Sequence, residues 1–185
     1  MKKRVFIIHG WEGKPDSNWF PWMKTELEKE NVRVHVLSMP NADFPKMGEW
    51  VEHMQKTIGK ADENVFLVGH SLGGIVILRY LESLPENEKV GGILLVAGFS
   101  ESIGFPELEN FFETPVDYAK VKKSVAKVVI INSDNDPYVP IEKGKIMEEK
   151  LGGKFVVMHN AFHMNEGEGF FELPTGLEEL LEIIK

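Results

Sequence analysis

Cysteine is absent from the 185-residue chain, which excludes disulfide frameworks, thiol nucleophiles and sulfur-ligated metal sites together. Any covalent nucleophile must therefore carry oxygen or nitrogen. Long apolar runs are missing as well. The stretch Val5-Phe6-Ile7-Ile8 breaks at His9-Gly10, far short of a signal peptide's apolar region or of the about 20 residues a spanning helix needs. The expectation is a soluble, cytoplasmic protein with no membrane partner. Basic residues are the minority, with 21 Lys+Arg against 29 Asp+Glu and a formal charge of -8, a balance that repels polyanions. The short basic clusters Lys2-Lys3-Arg4 and Lys120 to Lys127 have no interleaved aromatics and read as solvated edges, so nucleic acid is not an expected partner.

The composition, 43% hydrophobic and 27% charged, suits a packed globular core, and the length suits one domain over residues 1–185. No repeat, low-complexity tract or linker divides it. Short apolar, β-branched runs alternate with longer amphipathic segments, the pattern of βα units around a parallel sheet. Strands are expected at Val5 to Ile8, Val32 to Leu37, Val65 to Val68, Gly92 to Val96, Val128 to Ile131 and Lys154 to Met158. Helices are expected at Ser17 to Glu30, Met47 to Gly59, Leu72 to Ser83, Ile141 to Leu151 and Thr175 to Ile184. Asp16-Ser17 offers a cap for the first helix, with Pro21 in its first turn; Gly152-Gly153 ends the fourth, and Pro174-Thr175 opens the last. Right-handed crossovers put helices on both faces, giving an α/β three-layer sandwich of about six parallel strands. Residues 98–124, with Phe99, Phe105, Phe111 and Phe112 among Pro, Glu and Ser, show no period and read as an excursion over the sheet edge.

The most specific segment is Val65-Phe66-Leu67-Val68-Gly69-His70-Ser71-Leu72-Gly73-Gly74: a buried strand, then Gly-x-Ser-x-Gly, then an apolar helix. A serine between strand and helix turns so sharply that its backbone is strained, and glycines two positions to either side remove side chains that would collide. The hydroxyl is then presented above the carboxyl edge of the sheet, beside a helix N-terminus whose potential favours an oxyanion. The rival readings lack their letters. A dinucleotide loop needs Gly-x-Gly-x-x-Gly, and a Walker loop needs Gly-Lys-Ser/Thr. Ser71 is thus the candidate nucleophile, in an arrangement that resembles the elbow of α/β-hydrolases.

Serine needs a base, and the base needs an orienting carboxylate. In the α/β-hydrolase order the acid follows the serine and the histidine comes last. The segment Val128 to Ile131 runs into Asn132-Ser133-Asp134-Asn135-Asp136-Pro137-Tyr138-Val139-Pro140, where two carboxylates compete. Asp136 is preferred, since Asp136 to Pro140 resembles the acid loop of many α/β-hydrolases, and Asp134 is left to cap or brace the turn. Of six histidines, only His159 and His163 follow the acid. His159 ends the run Phe155 to Met158, whereas His163 lies in a loop able to reach the serine, so His163 is the expected base. The two have no third ligand nearby for a metal. His35 and His53 read as structural, and His70 as structural or pocket-lining.

With these residues placed, the chain resembles the small YdeN-like serine hydrolases, the retinoblastoma-binding protein nine family. The likeness spans nearly the whole length and rests on His9-Gly10 before an aromatic-rich helix, Gly69 to Gly74, Ser133 to Pro140, and Phe162-His163. It implies a compact α/β-hydrolase fold with no large cap and a triad on Ser71, Asp136 and His163. By the same resemblance to α/β-hydrolases, main-chain N–H groups of Trp11 and Leu72 form the oxyanion hole, and the ring of His9 braces the loop. The chain departs from the family pattern at two places. Ala161-Phe162 precedes His163 where the family has Gly-His, and Asn135 interrupts the acidic pair.

The expected activity is hydrolysis of small esters through an acyl-enzyme, with no cofactor and no metal. An amidase or aminopeptidase with the same triad, or a protein-binding module on a hydrolase fold, are the alternatives. Trp11, Trp19, Trp22, Met39 and the phenylalanines of 98–124 are the candidates for lining a small, open site.

Overall fold

A computed structural model describes residues 2–185. Six strands form one sheet: β1 (Arg4–Ile8), β2 (Arg33–Val36), β3 (Val65–His70), β4 (Gly92–Val96), β5 (Val128–Ser133) and β6 (Lys154–Met158). Their spatial order is β2-β1-β3-β4-β5-β6, and every pairing is parallel. The four inner strands carry near-continuous apolar runs because both faces of a parallel sheet are covered; all six residues of β3 are buried.

Alternation along the strands divides the core. Phe6, Ile8, Leu67, Ile93, Leu95 and Ile130 point to one face, which is covered by α2 (Met47–Ile58), α3 (Leu72–Ser83), α4 (Tyr118–Lys123) and α5 (Ile141–Leu151). Val5, Ile7, Phe66, Val68, Leu94, Val96 and Ile131 point to the other, covered by α1 (Phe20–Lys29) and α6 (Pro174–Ile184). The fold is therefore the three-layer α/β arrangement expected from the sequence, with six parallel strands and helices on both faces.

Two details differ from the sequence reading. The first helix begins at Phe20 rather than Ser17, with Trp19 as N-cap and no side-chain cap. Asn18 sits at φ +54°, which breaks the helical path that Asp16-Ser17 would have opened. The excursion is also more ordered than its lack of period suggested: Pro106–Phe111 forms a 3-10 turn, and α4 starts at Asp117, whose carboxylate accepts the Lys120 N–H at 3.0 Å.

Arg79, on α3 with its side chain only 6% exposed, ties this excursion down. Its guanidinium donates to the Phe111 carbonyl at 2.9 and 3.1 Å, to Pro115 at 3.5 Å and to Thr114, and it pairs with Glu82 at 2.9 Å. Carbonyls of three residues, that of the buried Phe111 among them, are thus gathered by one cation.

Candidate active site

β3 and α3 meet at Ser71, whose φ of +54° and ψ of -121° lie where a non-glycine residue is held only by its surroundings. Those surroundings are specific. The Ser71 N–H extends the sheet ladder to the Val96 carbonyl at 2.9 Å, and its own carbonyl accepts from Gly74 at 2.9 Å. A Cβ on Gly69 would lie 2.7 Å from the backbone of Gly73, and one on Gly73 would lie 2.4 Å from the Ile8 carbonyl oxygen. The glycines of the elbow are therefore required by close approach of α3 to β3 and β1. The end of β1 comes just as near: a Cβ on Gly10 would sit 3.0 Å from Ser71 Cβ and 3.4 Å from its Oγ.

Asp136 follows β5. Its side chain is 0% exposed; Oδ1 accepts the N–H groups of Tyr138 and Val139 at 2.8 and 2.9 Å, and Oδ2 lies 2.7 Å from His163 Nδ1. Since a carboxylate accepts, His163 carries its proton on Nδ1 and leaves Nε2 free to take another. Ser71 and His163 line the same two cavities. No hydrogen bond joins the Ser71 hydroxyl to the His163 ring in this structure.

Asp134 and His159 make a second pair, Oδ2 to Nδ1 at 2.5 Å, but on the surface: the His159 side chain is 76% exposed. Asp134 also accepts the Asn160 N–H at 2.9 Å, and the His159 hydrogen bond, ahead of that one, lowers its carboxyl pKa. Neither residue lines a cavity beside Ser71. Asp134 thus braces the turn, the lesser role the sequence suggested for it.

The two departures from the family pattern touch each other. Phe162 has φ +48°, a conformation in which glycine is at ease and phenylalanine is not. Its N–H donates to Asn135 Oδ1 at 2.8 Å, and the next N–H back, that of Ala161, donates to Ser133 Oγ at 3.1 Å.

The other histidines near the site are structural. His9 Nε2 accepts the Met39 N–H at 3.1 Å, so Nδ1 donates to the Gly10 carbonyl at 2.7 Å; burial holds its pKa down. The ring braces the loop, as expected. His70 is buried, with Nε2 donating to the His163 carbonyl at 2.9 Å, and burial first, then the neighbouring His163, push its pKa down to about 3. This link between the Ser71 turn and the His163 loop has no signature in the sequence.

Two cavities flank Ser71. One, about 320 Å³, has walls from Trp11, Phe99, Ile103, Phe105, Leu108 and Tyr138. The other, about 250 Å³, is polar and includes Glu12, Ser17, Asn18, Asn165 and Glu166. Trp11 belongs to both, its ring fixed by Nε1 donating to the Asp43 carbonyl at 3.0 Å and by contact with Phe105, centroids 5.6 Å apart. Of the proposed lining residues, Trp19 and Met39 are core, Trp22 packs with the α1 face, and Phe111 is wholly buried. A larger crevice, about 700 Å³, lies at the amino edge of the sheet among Lys3, Asn31, Leu181 and Ile184, with no serine or histidine in it. Among the described residues there is no cluster of three metal-ligating side chains and no helix long and apolar enough to cross a membrane.

The family model described as "Serine hydrolase" matches residues 5–182. YdeN of Bacillus subtilis (strain 168) is 34% identical over 175 residues, 94% of this chain and 92% of that one. The serine hydrolase RBBP9 of Rattus norvegicus is 23% identical over 166 residues, 88% and 86% of the two chains. The crystal structure of the B. subtilis ydeN gene product superposes with a TM-score of 0.95 at 33% identity, covering 98% of both chains.

Proposed function

The chain belongs to the serine hydrolase family, and on that premise we propose that it is a carboxylesterase acting on small esters through Ser71, His163 and Asp136. The observation that carries the proposal is the Ser71 elbow at φ +54° opening onto cavities shared with an imidazole whose Nδ1 is engaged by a buried carboxylate. His163 Nε2 takes the Ser71 proton as Oγ attacks the ester carbonyl, and the oxygen that becomes negative is held by the main-chain N–H groups of Trp11 and Leu72. Collapse of the tetrahedral intermediate expels the alcohol, which leaves with the proton from His163. Water, deprotonated by the same nitrogen, then releases the acid and restores Ser71. Asp136 holds the imidazole tautomer and offsets its positive charge between the two proton transfers.

The size of the cavities, about 320 and 250 Å³, supports substrates with a compact apolar group on one side of the scissile bond and a small polar group on the other.

The deciding experiment treats the protein and Ser71→Ala with a fluorophosphonate and reads intact mass. One adduct on the wild type and none on the variant is expected; an unlabelled wild type overturns the proposal in favour of a binding protein on a hydrolase fold. Matched esters and anilides then separate esterase from amidase or aminopeptidase, faster turnover of the esters being expected.

A further inference from the structure

His163 is held at its ring Nδ1, its carbonyl and its N–H. Its ring is set by Asp136 at 2.7 Å and its carbonyl by His70 at 2.9 Å. Its N–H is set by neither neighbouring strand but by Glu168, five residues on, whose Oε2 lies 2.8 Å away. The same oxygen accepts the Asn165 N–H at 3.3 Å, and between those two peptides Met164 sits at φ +54°. One carboxylate oxygen therefore spans a left-handed residue. Glu168 is itself fixed, because its own N–H donates back to Asn165 Oδ1 at 3.2 Å across the short 3-10 turn Glu166–Glu168. Sequence carries a signal for this unit: Asn165-Glu166-Gly167-Glu168 has the spacing of a capping box.

From this geometry we propose that Glu168 is the positioning residue of the general base, fixing the backbone from which the His163 imidazole projects toward Ser71. The inference rests on His163 acting as that base. Glu168 touches neither cavity wall beside Ser71, so it acts through His163 and not on substrate. A carboxylate suits the task because it accepts two N–H bonds at one oxygen, with the added strength of a charged acceptor.

The test uses one activated ester on wild type, Glu168→Ala, Glu168→Gln and Glu168→Asp, with the downfield proton resonance of the His163 Nδ1–H as a second readout. In Glu168→Ala, kcat falls by about 10²-fold, the usual effect of a base displaced by about an ångström, while KM holds and the resonance broadens. Glu168→Gln keeps an acceptor oxygen at the same reach and recovers most of the rate and the resonance. Glu168→Asp is one methylene short, keeps the charge and falls toward the alanine variant; it also decides the matter if the alanine variant fails to fold. Wild-type kcat in both Glu168→Ala and Glu168→Asp, or a glutamine variant as damaged as alanine, overturns the inference. A wild type that neither turns over ester nor takes a fluorophosphonate overturns the hydrolase proposal instead.

Discussion

Asp136 meets His163 at 2.7 Å with its side chain wholly buried, and two residues upstream Asp134 meets His159 at 2.5 Å on the surface. The chemistry of the two contacts is the same and their surroundings differ. One oxygen of the buried carboxylate accepts two backbone N–H groups and the other accepts from the imidazole, so an amide in its place keeps its oxygen on the backbone, presents a donor to the ring and favours the wrong tautomer. Asp136→Asn is expected to lower kcat by about 10⁴-fold, and Asp134→Asn to leave it near wild type. Steady-state kinetics on a small activated ester compares the two.

Gly10 tests how closely the end of β1 guards Ser71. Gly10→Ala places a methyl 3.0 Å from Ser71 Cβ and 3.4 Å from Oγ, so the Ser71 side chain is pressed at Cβ and its hydroxyl is displaced by a few tenths of an ångström. A loss of about 10²-fold in kcat is expected, with little change in the thermal midpoint. Gly73→Ala, whose methyl would meet the rigid Ile8 carbonyl at 2.4 Å, is expected to cost about 3 kcal/mol of stability. Denaturant unfolding alongside the assay separates the two outcomes.

The buried His70 gives stability a pH dependence of known sign. Its folded-state pKa is about 3 against an ordinary 6.5, so below 6.5 the unfolded chain binds a proton that the folded chain refuses. Its contribution is complete above pH 6.5 and drains away as pH falls toward 3, by up to about 1.4 kcal/mol per pH unit. His70→Gln keeps an N–H donor for the His163 carbonyl and removes the titration. Urea midpoints at pH 7, 5 and 4 are expected to fall more steeply for wild type than for this variant.

Phe105 closes the apolar cavity against Trp11. Phe105→Ala enlarges that wall, and kcat/KM for a phenylpropionyl ester is expected to rise relative to the acetyl ester. A matched acyl series with one common alcohol shows whether the ratio moves.

Most of this architecture was legible because its signals are local. Strand runs such as Gly92–Val96 and the elbow letters around Ser71 act through residues adjacent in sequence, and both stand where they were expected. The start of α1 was misread because Asn18 takes a left-handed turn whose N–H is satisfied by Glu166, 148 positions away. Trp19 looked like a pocket residue and is core, since its indole N–H reaches the Met164 carbonyl at 3.1 Å. The hold of His70 on the His163 carbonyl, 93 positions away, is likewise tertiary, and residue type alone does not name the partner; Glu168, five residues from His163, is the local case, with a capping-box spacing that the sequence displays.

Arg79 carries a kinetic corollary. Because a buried guanidinium knots three carbonyls between Phe111 and Pro115 to α3, the segment just after the Phe105 and Leu108 wall of the apolar cavity is anchored to the body of the fold. On the proposed ester hydrolysis, a wall anchored in this way leaves no flap to open, so velocity is expected to climb smoothly with dissolved substrate, with no jump where the ester begins to form micelles.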